Sequence, residues 1–248
     1  MDILLITLAG TSTRFSNSIG RACHKSLYFE HDFTDSLLYK QVTMCPDFDR
    51  IVLVGGFMFE ELRVGLDNLP PDVRSKIVLI HNERFSDLGS GYSLYLGLKA
   101  ALEIGFNQLV FMEGDLWVRS DEFMSVVKSD SDVITVNSED ILAKKAVALY
   151  TDMDDGIHYI YDTNHSHLRI EGDFTGIYNS GQVWKFIDMS RVTRILNSMS
   201  LEEWGGTNLR FIQHYFDSKT FKDIHIVKFS EWINCNTVED YYRIPEVR

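Results

Sequence analysis

Residues 3–15 read ILLITLAGTSTRF, an apolar run that stops at Gly10 and passes into small and polar residues. A run over residues 3–9 that is apolar except for Thr7 is typical of a strand buried on both faces, as in a parallel sheet. The loop that follows carries little side-chain bulk before Arg14, so backbone N–H groups can come close to a bound phosphate. We predict a central strand that ends in a ligand-binding loop.

Acidic residues are missing from this part of the chain. Residues 3–29 contain no Asp or Glu, although the chain holds 36 acids among 248 residues. About four acids would be expected in a span of that length. Arg14, Arg21 and Lys25 give the span positive charge. Either a polyanion binds here, or the cations are solvated around a plain tight turn.

The overall charge of -12 argues against a general binder of nucleic acids or anionic membranes. No stretch reaches the ~20 apolar residues of a membrane span, and Asp2 stands where a secretory signal has basic residues. The scattered cysteines match neither a disulfide framework nor zinc-ligand spacing. We expect a cytoplasmic protein, and a homo-oligomer is compatible with the sequence.

Strand-like and helix-like segments alternate along the first half of the chain. Such alternation predicts an α/β fold with a Rossmann-like, mostly parallel sheet flanked by helices. The strands are expected at residues 3–9, 50–55, 76–81, 108–113 and 132–136, and the helices at residues 36–45, 58–68, 92–104 and 121–128. Ligands bind beyond the carboxyl ends of strands in such sheets, so the loops there should meet in one crevice.

The middle of the chain has a different pattern. Short apolar runs separated by Asp, Gly and Asn turns predict strands at residues 146–150, 157–161, 167–170 and 174–178. We expect an antiparallel, substrate-binding insertion over residues 143–180 within a single domain of residues 1–248. Further segments are predicted as helices at 182–199 and 201–217, a strand at 224–229 and a short helix from Thr237.

Two further loops carry chemistry. In FMEGDLWV, residues 111–118, Asp115 directly follows an apolar strand, where a single carboxylate can hold Mg²⁺ that bridges phosphate oxygens. Glu113 alternates with Asp115 and can share its face. In HNERFSDLGSGYSLYLGL, residues 81–98, a Gly-Ser-Gly turn opens a helix. Its N–H groups and the Ser90 and Ser93 hydroxyls can hydrogen-bond a planar base, or Ser90 is simply a cap.

These residues, in this order, resemble the nucleotidyltransferase family. LAGTSTRF, residues 8–15, is similar to its L-A-A-G-x-G-T-R-F signature, HKSL, residues 24–27, to P-K-x-L, and Gly114-Asp115 to its metal-binding GD. NCNTVEDY, residues 234–241, is similar to I-D-T-x-E-D-L. HKSL together with the 81–98 loop resembles the phosphocholine cytidylyltransferase branch and capsule-type sugar-phosphate nucleotidyltransferases.

The resemblance implies that an NTP, with CTP favoured, reacts with a small phosphorylated metabolite and releases pyrophosphate. The product would be an activated precursor for cell-surface glycan or lipid decoration. Arg14 and Lys25 would be catalytic, and Asp115 and Asn236 would bind Mg²⁺. The nucleotide would contact Leu8, Ala9, Gly10, Thr11, Ser12, Thr13, Asn82, Gly89, Ser90 and Ser93.

Two residues depart from the family pattern. Ser12 stands where a second Gly is usual, so the loop must avoid a positive φ there or accept strain. Asn236 stands where the family has its second metal-binding Asp, and an amide oxygen binds Mg²⁺ more weakly than a carboxylate. Either one strong ligand suffices, or Glu231 or Glu239 compensates, or the activity is weakened.

The chemistry of the acceptor stays open at this level. Aromatic faces attract cationic head groups by ~0.5–2 kcal/mol each, which would suit phosphocholine, although strands favour aromatic residues anyway. A sugar phosphate would instead need polar partners for its hydroxyls. The aromatic set is Tyr150, Tyr159, Tyr161, Phe174, Tyr178 and Trp184, and the polar set is Asp162, Asn164, Glu171, Asp173 and Asn179. We predict Tyr178, Trp184 and Glu171 as acceptor contacts.

Two other functional classes compete with a nucleotidyltransferase. A nucleotide-sugar-dependent glycosyltransferase also ends a strand in acids around a metal, but it needs no cationic loop before Lys25. A degenerate nucleotide-binding module would account for Ser12 and Asn236.

Overall fold

The computed structural model of the protein describes residues 1–142, 147–161 and 168–245. Its strands are β1 (Asp2–Leu8), β2 (Arg50–Gly55), β3 (Ile77–His81), β4 (Gln108–Glu113), β5 (Leu116–Val118), β6 (Val133–Asn137), β7 (Ala148–Asp152), β8 (Ile157–Ile160), β9 (Phe174–Phe186), β10 (His225–Phe229) and β11 (Trp232–Asn234). Its α-helices are α1 (Thr13–Ile19), α2 (Leu37–Thr43), α3 (Phe59–Gly65), α4 (Pro71–Arg74), α5 (Ser90–Ile104), α6 (Ser120–Val127), α7 (Met189–Ser198), α8 (Leu201–Trp204), α9 (Leu209–Phe216) and α10 (Val238–Tyr242).

Within the described ranges, nine strands form the main sheet, in the order β10-β6-β9-β4-β1-β2-β3, with β7 beside β9 and β8 beside β7. β1 pairs in parallel with β2 and β4, β2 with β3, and β10 with β6. β9 runs antiparallel between β4 and β6. The mostly parallel, Rossmann-like sheet predicted from the sequence is confirmed.

β1 shows why the apolar run at residues 3–8 determines this architecture. Ile3 and Leu5 belong to the core on one face of the sheet, whereas Leu4 and Ile6 belong to the core on the other. All four side chains are fully buried, as expected of a strand covered on both sides. In α5, a Cβ added to Gly97 would lie 2.3 Å from the Leu5 side chain, so this helix packs closely against the strand.

The region after β6 differs from the prediction in detail. Residues 182–186 were predicted to be helical but continue β9, and α7 begins only at Met189. Residues 168–170 form no strand, and residues 143–146 and 162–167, with Asp162 and Asn164, lie outside the described residues. β7, β8 and β9 pair antiparallel as expected of the 143–180 insertion. β9 then continues as a strand of the main sheet, between β4 and β6.

The carboxyl ends of β1 and β4 lie side by side and are joined to a small ribbon. The Gly114 N–H donates to the Thr7 carbonyl at 3.0 Å, and the Cys235 N–H donates to the Asp115 carbonyl at 2.7 Å. β5 and β11 pair antiparallel next to this junction, which the sequence did not predict. Asp115 is thereby placed between the loop after β1 and the segment that leads to α10.

In the part of the chain that the structure describes, the helices are too short or too polar to cross a bilayer.

Candidate active site

A cavity of about 230 Å³ lies beyond the carboxyl ends of β1 and β4. Its walls come from the loop after β1, the 3-10 turn Lys25–Leu27, the segment before α5 and the end of β4. The lining residues are Thr7, Leu8, Ala9, Gly10, Ser12, His24, Lys25, Ser26, Phe85, Leu88, Gly89, Ser90, Ser93, Glu113, Gly114 and Asp115. The crevice expected at the strand ends therefore exists, and it brings most of the predicted nucleotide contacts together with Lys25 and Asp115.

Two predicted nucleotide contacts on the first loop, the predicted catalytic Arg14 and the predicted contact Asn82 lie outside this lining. Thr11, Thr13 and Arg14 are exposed on the loop and the first turn of α1. Asn82 is fully buried: its Nδ2 donates to Ser93 Oγ at 2.9 Å, and its Oδ1 accepts from the Arg84 N–H at 2.9 Å. Asn82 thus fixes the loop after β3 and supports the cavity from behind.

The predicted cation and the predicted metal ligand are in direct contact. Lys25 Nζ lies 2.8 Å from Asp115 Oδ2, and each side chain is 17% exposed. The Lys25 N–H donates to Ser12 Oγ at 3.3 Å, and Ser26 Oγ donates to the Gly114 carbonyl at 2.9 Å. Neighbouring residues therefore hold Lys25 against both loops.

Asp115 retains an acceptor that the protein does not use. Its Oδ1 is buried and has no hydrogen-bond partner, and such a group costs about 1–3 kcal/mol when left unsatisfied. Within the described ranges no three His, Cys, Asp or Glu side chains are grouped to enclose a metal ion. Mg²⁺ in NTP-dependent enzymes is usually held by one or two carboxylates together with substrate phosphates. The free oxygen of Asp115 fits that kind of site.

Asn236, the other predicted metal ligand, is engaged by protein groups. Its Oδ1 accepts from Arg14 Nη2 at 2.7 Å, and its Nδ2 donates to Asn234 Oδ1 at 2.5 Å. The amide therefore links α1 to the end of β11. This bond uses one of the five N–H donors of the Arg14 guanidinium.

Glu113 is a further acid in the cavity wall. Its Oε1 accepts from Asn208 Nδ2 at 2.7 Å, and Asn208 is itself buried at the start of α9. Burial and the negative charge of Asp115 raise the pKa of Glu113 to about 7. Two carboxyl groups thus lie close together in a part of the protein where neither is well hydrated.

His24 lines the same cavity, and sequence reasoning missed it. The side chain is 3% exposed, and neither ring nitrogen has a hydrogen-bond partner. Burial lowers the pKa of His24 to about 4, although the nearby Leu8 carbonyl acts in the opposite direction. The ring is therefore neutral at pH 7 and offers one donor and one acceptor. A single histidine forms no pattern along the chain that would have marked it.

The Gly-Ser-Gly turn before α5 has a structural role. The N–H groups of Gly89 and Gly91 donate to the carbonyls of Gly205 at 2.7 Å and Gly206 at 3.0 Å. Ser90 Oγ accepts from the Asn208 N–H at 3.1 Å. The prediction that the N–H groups of this turn are free for a base is wrong for Gly89 and Gly91, because the 205–208 segment occupies them.

Ser12, which stands where the family usually has glycine, has a strained backbone conformation. Its φ of 52° and ψ of 25° are left-handed, a conformation that disfavours residues with a Cβ. The hydrogen bond from the Lys25 N–H to Ser12 Oγ gives serine a function at this position that glycine lacks.

The predicted acceptor contacts do not line the cavity. Trp184 is a core residue: it is fully buried, its ring lies 5.3 Å from that of Phe111, and its Nε1 donates to the Tyr159 hydroxyl at 2.7 Å. The prediction of Trp184 as an acceptor contact is therefore wrong, because the strand of which it is part is buried on both faces. Tyr178 is half-buried and stacks on Phe221 at 5.2 Å, and Glu171 is exposed.

A family model described as a domain of unknown function, DUF6564, matches residues 21–248. The chain belongs to this family. No curated protein matches the sequence.

Several solved structures are similar over nearly the full length. An inositol-1-phosphate CTP transferase from T. maritima is 15% identical, with a TM-score of 0.64, and the match covers 97% of this chain and 91% of that one. A CTP:phosphocholine cytidylyltransferase from Streptococcus pneumoniae is 13% identical, with a TM-score of 0.63 and coverages of 98% and 96%. A Bacillus anthracis protein assigned as a glucose-1-phosphate thymidylyltransferase is 12% identical, with a TM-score of 0.67 and coverages of 100% and 98%. These similarities confirm that this member of the family has the nucleotidyltransferase-like fold.

Proposed function

We propose that this protein is a Mg²⁺-dependent nucleotidyltransferase that couples an NTP to a small phosphorylated metabolite and releases pyrophosphate. The observation that carries the proposal is the contact between Lys25 and Asp115 in a cavity whose first loop has no acid. A cation and a metal-binding carboxylate at the ends of neighbouring strands are what a reaction between two phosphates requires.

The reaction places like charges together. An oxygen of the acceptor phosphate attacks the α-phosphorus of the NTP, and a new P–O bond forms. The bond from that phosphorus to the pyrophosphate oxygen breaks, and its electron pair leaves with pyrophosphate. Two unit charges ~4 Å apart repel by ~4 kcal/mol at an effective dielectric constant near 20. The acceptor oxygen is already ionised, so no general base is needed.

The residues of the cavity would offset this repulsion. Lys25 would place its ammonium group beside the reacting phosphates, and Arg14 would contact the phosphates from the rim with the N–H groups that Asn236 does not occupy. Bound Mg²⁺ would neutralise phosphate charge and align the groups. Asp115 would hold that ion through its unpaired oxygen.

The nucleotide would extend beyond the cavity. Small-molecule sites usually measure ~300–1,000 Å³, and about 230 Å³ is too little to enclose a whole NTP. The triphosphate would therefore lie partly over residues 10–14. We favour CTP because two of the similar structures are described as CTP-using transferases. The product would be an activated nucleotide-linked precursor for surface glycan or lipid decoration.

A pyrophosphate-release assay over a substrate panel tests the proposal. Each NTP would be combined with Mg²⁺ and with phosphocholine, phosphoethanolamine, inositol phosphate or hexose 1-phosphates. Acceptor-dependent release is expected, and Asp115→Asn should lower turnover at least ~10²-fold because the metal site is lost. Release that persists in Asp115→Asn and in Lys25→Ala would place the reaction outside this cavity, and no release with any acceptor would refute the proposal.

A further inference from the structure

We propose that Glu113, and not Asn236, is the second protein ligand of the Mg²⁺ held by Asp115, and that Asn208 orients it. The identity of the cation rests on the proposed function. The assignment of the ligand rests on the arrangement of the residues at the end of β4.

Glu113 and Asp115 are the acidic residues among those that line the cavity. They flank Gly114, where an added Cβ would lie 2.4 Å from the Leu8 side chain and 2.5 Å from the Thr7 carbonyl. This close approach fixes the backbone between the two acids. β4 ends at Glu113 and Asp115 follows in the turn, and both side chains line the cavity, so the two acids border the same space.

Lys25 leaves part of the acidic pair without a partner. Its ammonium group contacts one oxygen of Asp115, while the other oxygen is buried without a partner. A divalent cation that contacts both would satisfy the unpaired oxygen of Asp115 and remove the repulsion between the acids.

Asn208 holds the Glu113 side chain in a fixed orientation. Its Nδ2 donates to Glu113 Oε1 at 2.7 Å. Its own N–H donates to Ser90 Oγ, so the position of the amide is set by the turn before α5. A carboxylate accepts at about four lone-pair positions, and one bond from Asn208 leaves room for a metal.

Asn236 lacks this freedom. The amide has a single oxygen, which already accepts from the Arg14 guanidinium, and that positive charge repels a cation. Glu113 then supplies the second carboxylate of the site.

Metal binding can be measured without turnover by using Mn²⁺ as a paramagnetic probe. The free Mn²⁺ signal in electron paramagnetic resonance would be titrated against protein in the presence of CTP and without acceptor. Glu113→Gln and Asp115→Asn should each raise the Kd for Mn²⁺ by at least ~10-fold. Asn236→Ala and the control Glu83→Gln, which removes an exposed acid outside the cavity, should not raise it.

The proposal is overturned if Glu113→Gln binds Mn²⁺ like the wild type, or if Asn236→Ala loses binding instead. It is also overturned if the wild type binds no Mn²⁺ in the presence of CTP.

Thermal unfolding without metal checks that each variant is folded. If Glu113→Gln does not fold, Glu113→Asp keeps the charge and withdraws it by one methylene, and it should still weaken Mn²⁺ binding. If Glu113→Gln and Asp115→Asn lose Mn²⁺ binding as expected but the wild type transfers to no acceptor, the proposed function alone is refuted. Transfer that needs Asp115 but not Glu113 would refute this assignment alone.

Discussion

Gly10 and Gly89 line the same cavity but differ in what surrounds them. A Cβ added to Gly10 would meet no atom within 4 Å, whereas one added to Gly89 would lie 2.3 Å from the Gly206 carbonyl oxygen. Neither residue has a positive φ. The fold therefore requires glycine at position 89 but not at position 10, where the space is available to a ligand.

Gly10→Ala should separate ligand binding from stability. The free energy of unfolding should stay constant or rise by ~0.4–1 kcal/mol, because alanine restricts the unfolded chain. The Kd for CTP with Mg²⁺ should rise about tenfold, since the methyl group would cost a phosphate hydrogen bond worth ~1.5–3 kcal/mol. Urea unfolding and calorimetric titration give the two values. An unchanged Kd in a folded variant would mean that the phosphates do not lie over this loop.

His24 should make stability depend on pH. In the unfolded chain it titrates near 6.5, whereas burial lowers the pKa to about 4 in the native protein. Between these values the unfolded state binds more protons, so stability falls as the pH is lowered. From pH 7 to pH 5 the loss from this group should be about 2 kcal/mol.

Urea unfolding of the wild type and of His24→Gln at both pH values isolates this contribution, because all other groups titrate in both proteins. The variant should lose about 2 kcal/mol less than the wild type between pH 7 and pH 5. Equal losses would show that His24 is protonated in the native state or finds a partner there.

At the scale of elements, predictions from the sequence were best where a segment is apolar on a regular pattern. β1, β2 and β4 were found almost at their observed bounds, since both of their faces are buried. Residues 182–186 were misassigned to a helix because Lys185 interrupts the short apolar run that would have indicated a buried strand. In the structure Lys185 is buried, and its Nζ donates to the Val127 carbonyl at 2.8 Å. The burial of this lysine depends on tertiary contacts, which the sequence alone does not show.

The packing of the start of α5 against the 205–208 segment can be tested by substitution. Gly89→Ala should lower the free energy of unfolding by ~1–3 kcal/mol, because the new Cβ overlaps the backbone of the 205–208 segment. The displacement should also disturb Asn208, whose N–H is bonded to Ser90. Urea unfolding measures the first effect, with Gly10→Ala as the matched glycine control. Equal stability of the two variants would show that the 205–208 segment can move away at little cost.

Across the whole molecule, the residues found from sequence are those that follow strands in short motifs. Lys25 and Asp115 were found because charge and strand ends mark them, and they are in contact although 90 residues separate them. Asn208 and His24 were missed: Asn208 reaches Glu113 from α9, and His24 is recognised only by its burial. Trp184 was wrongly included because the sequence does not distinguish an aromatic residue of the core from one in a binding site.

The central claim is that the cavity joins two phosphates and releases pyrophosphate, and ³¹P nuclear magnetic resonance observes both products at once. The protein would be incubated with CTP, Mg²⁺ and the acceptor that performs best in the panel. We predict that the pyrophosphate signal and the two mutually coupled signals of a new diphosphate diester grow in equal amounts. Neither should grow with Asp115→Asn. Growth of inorganic phosphate and nucleoside diphosphate alone, or an unchanged spectrum with every acceptor, would contradict the account.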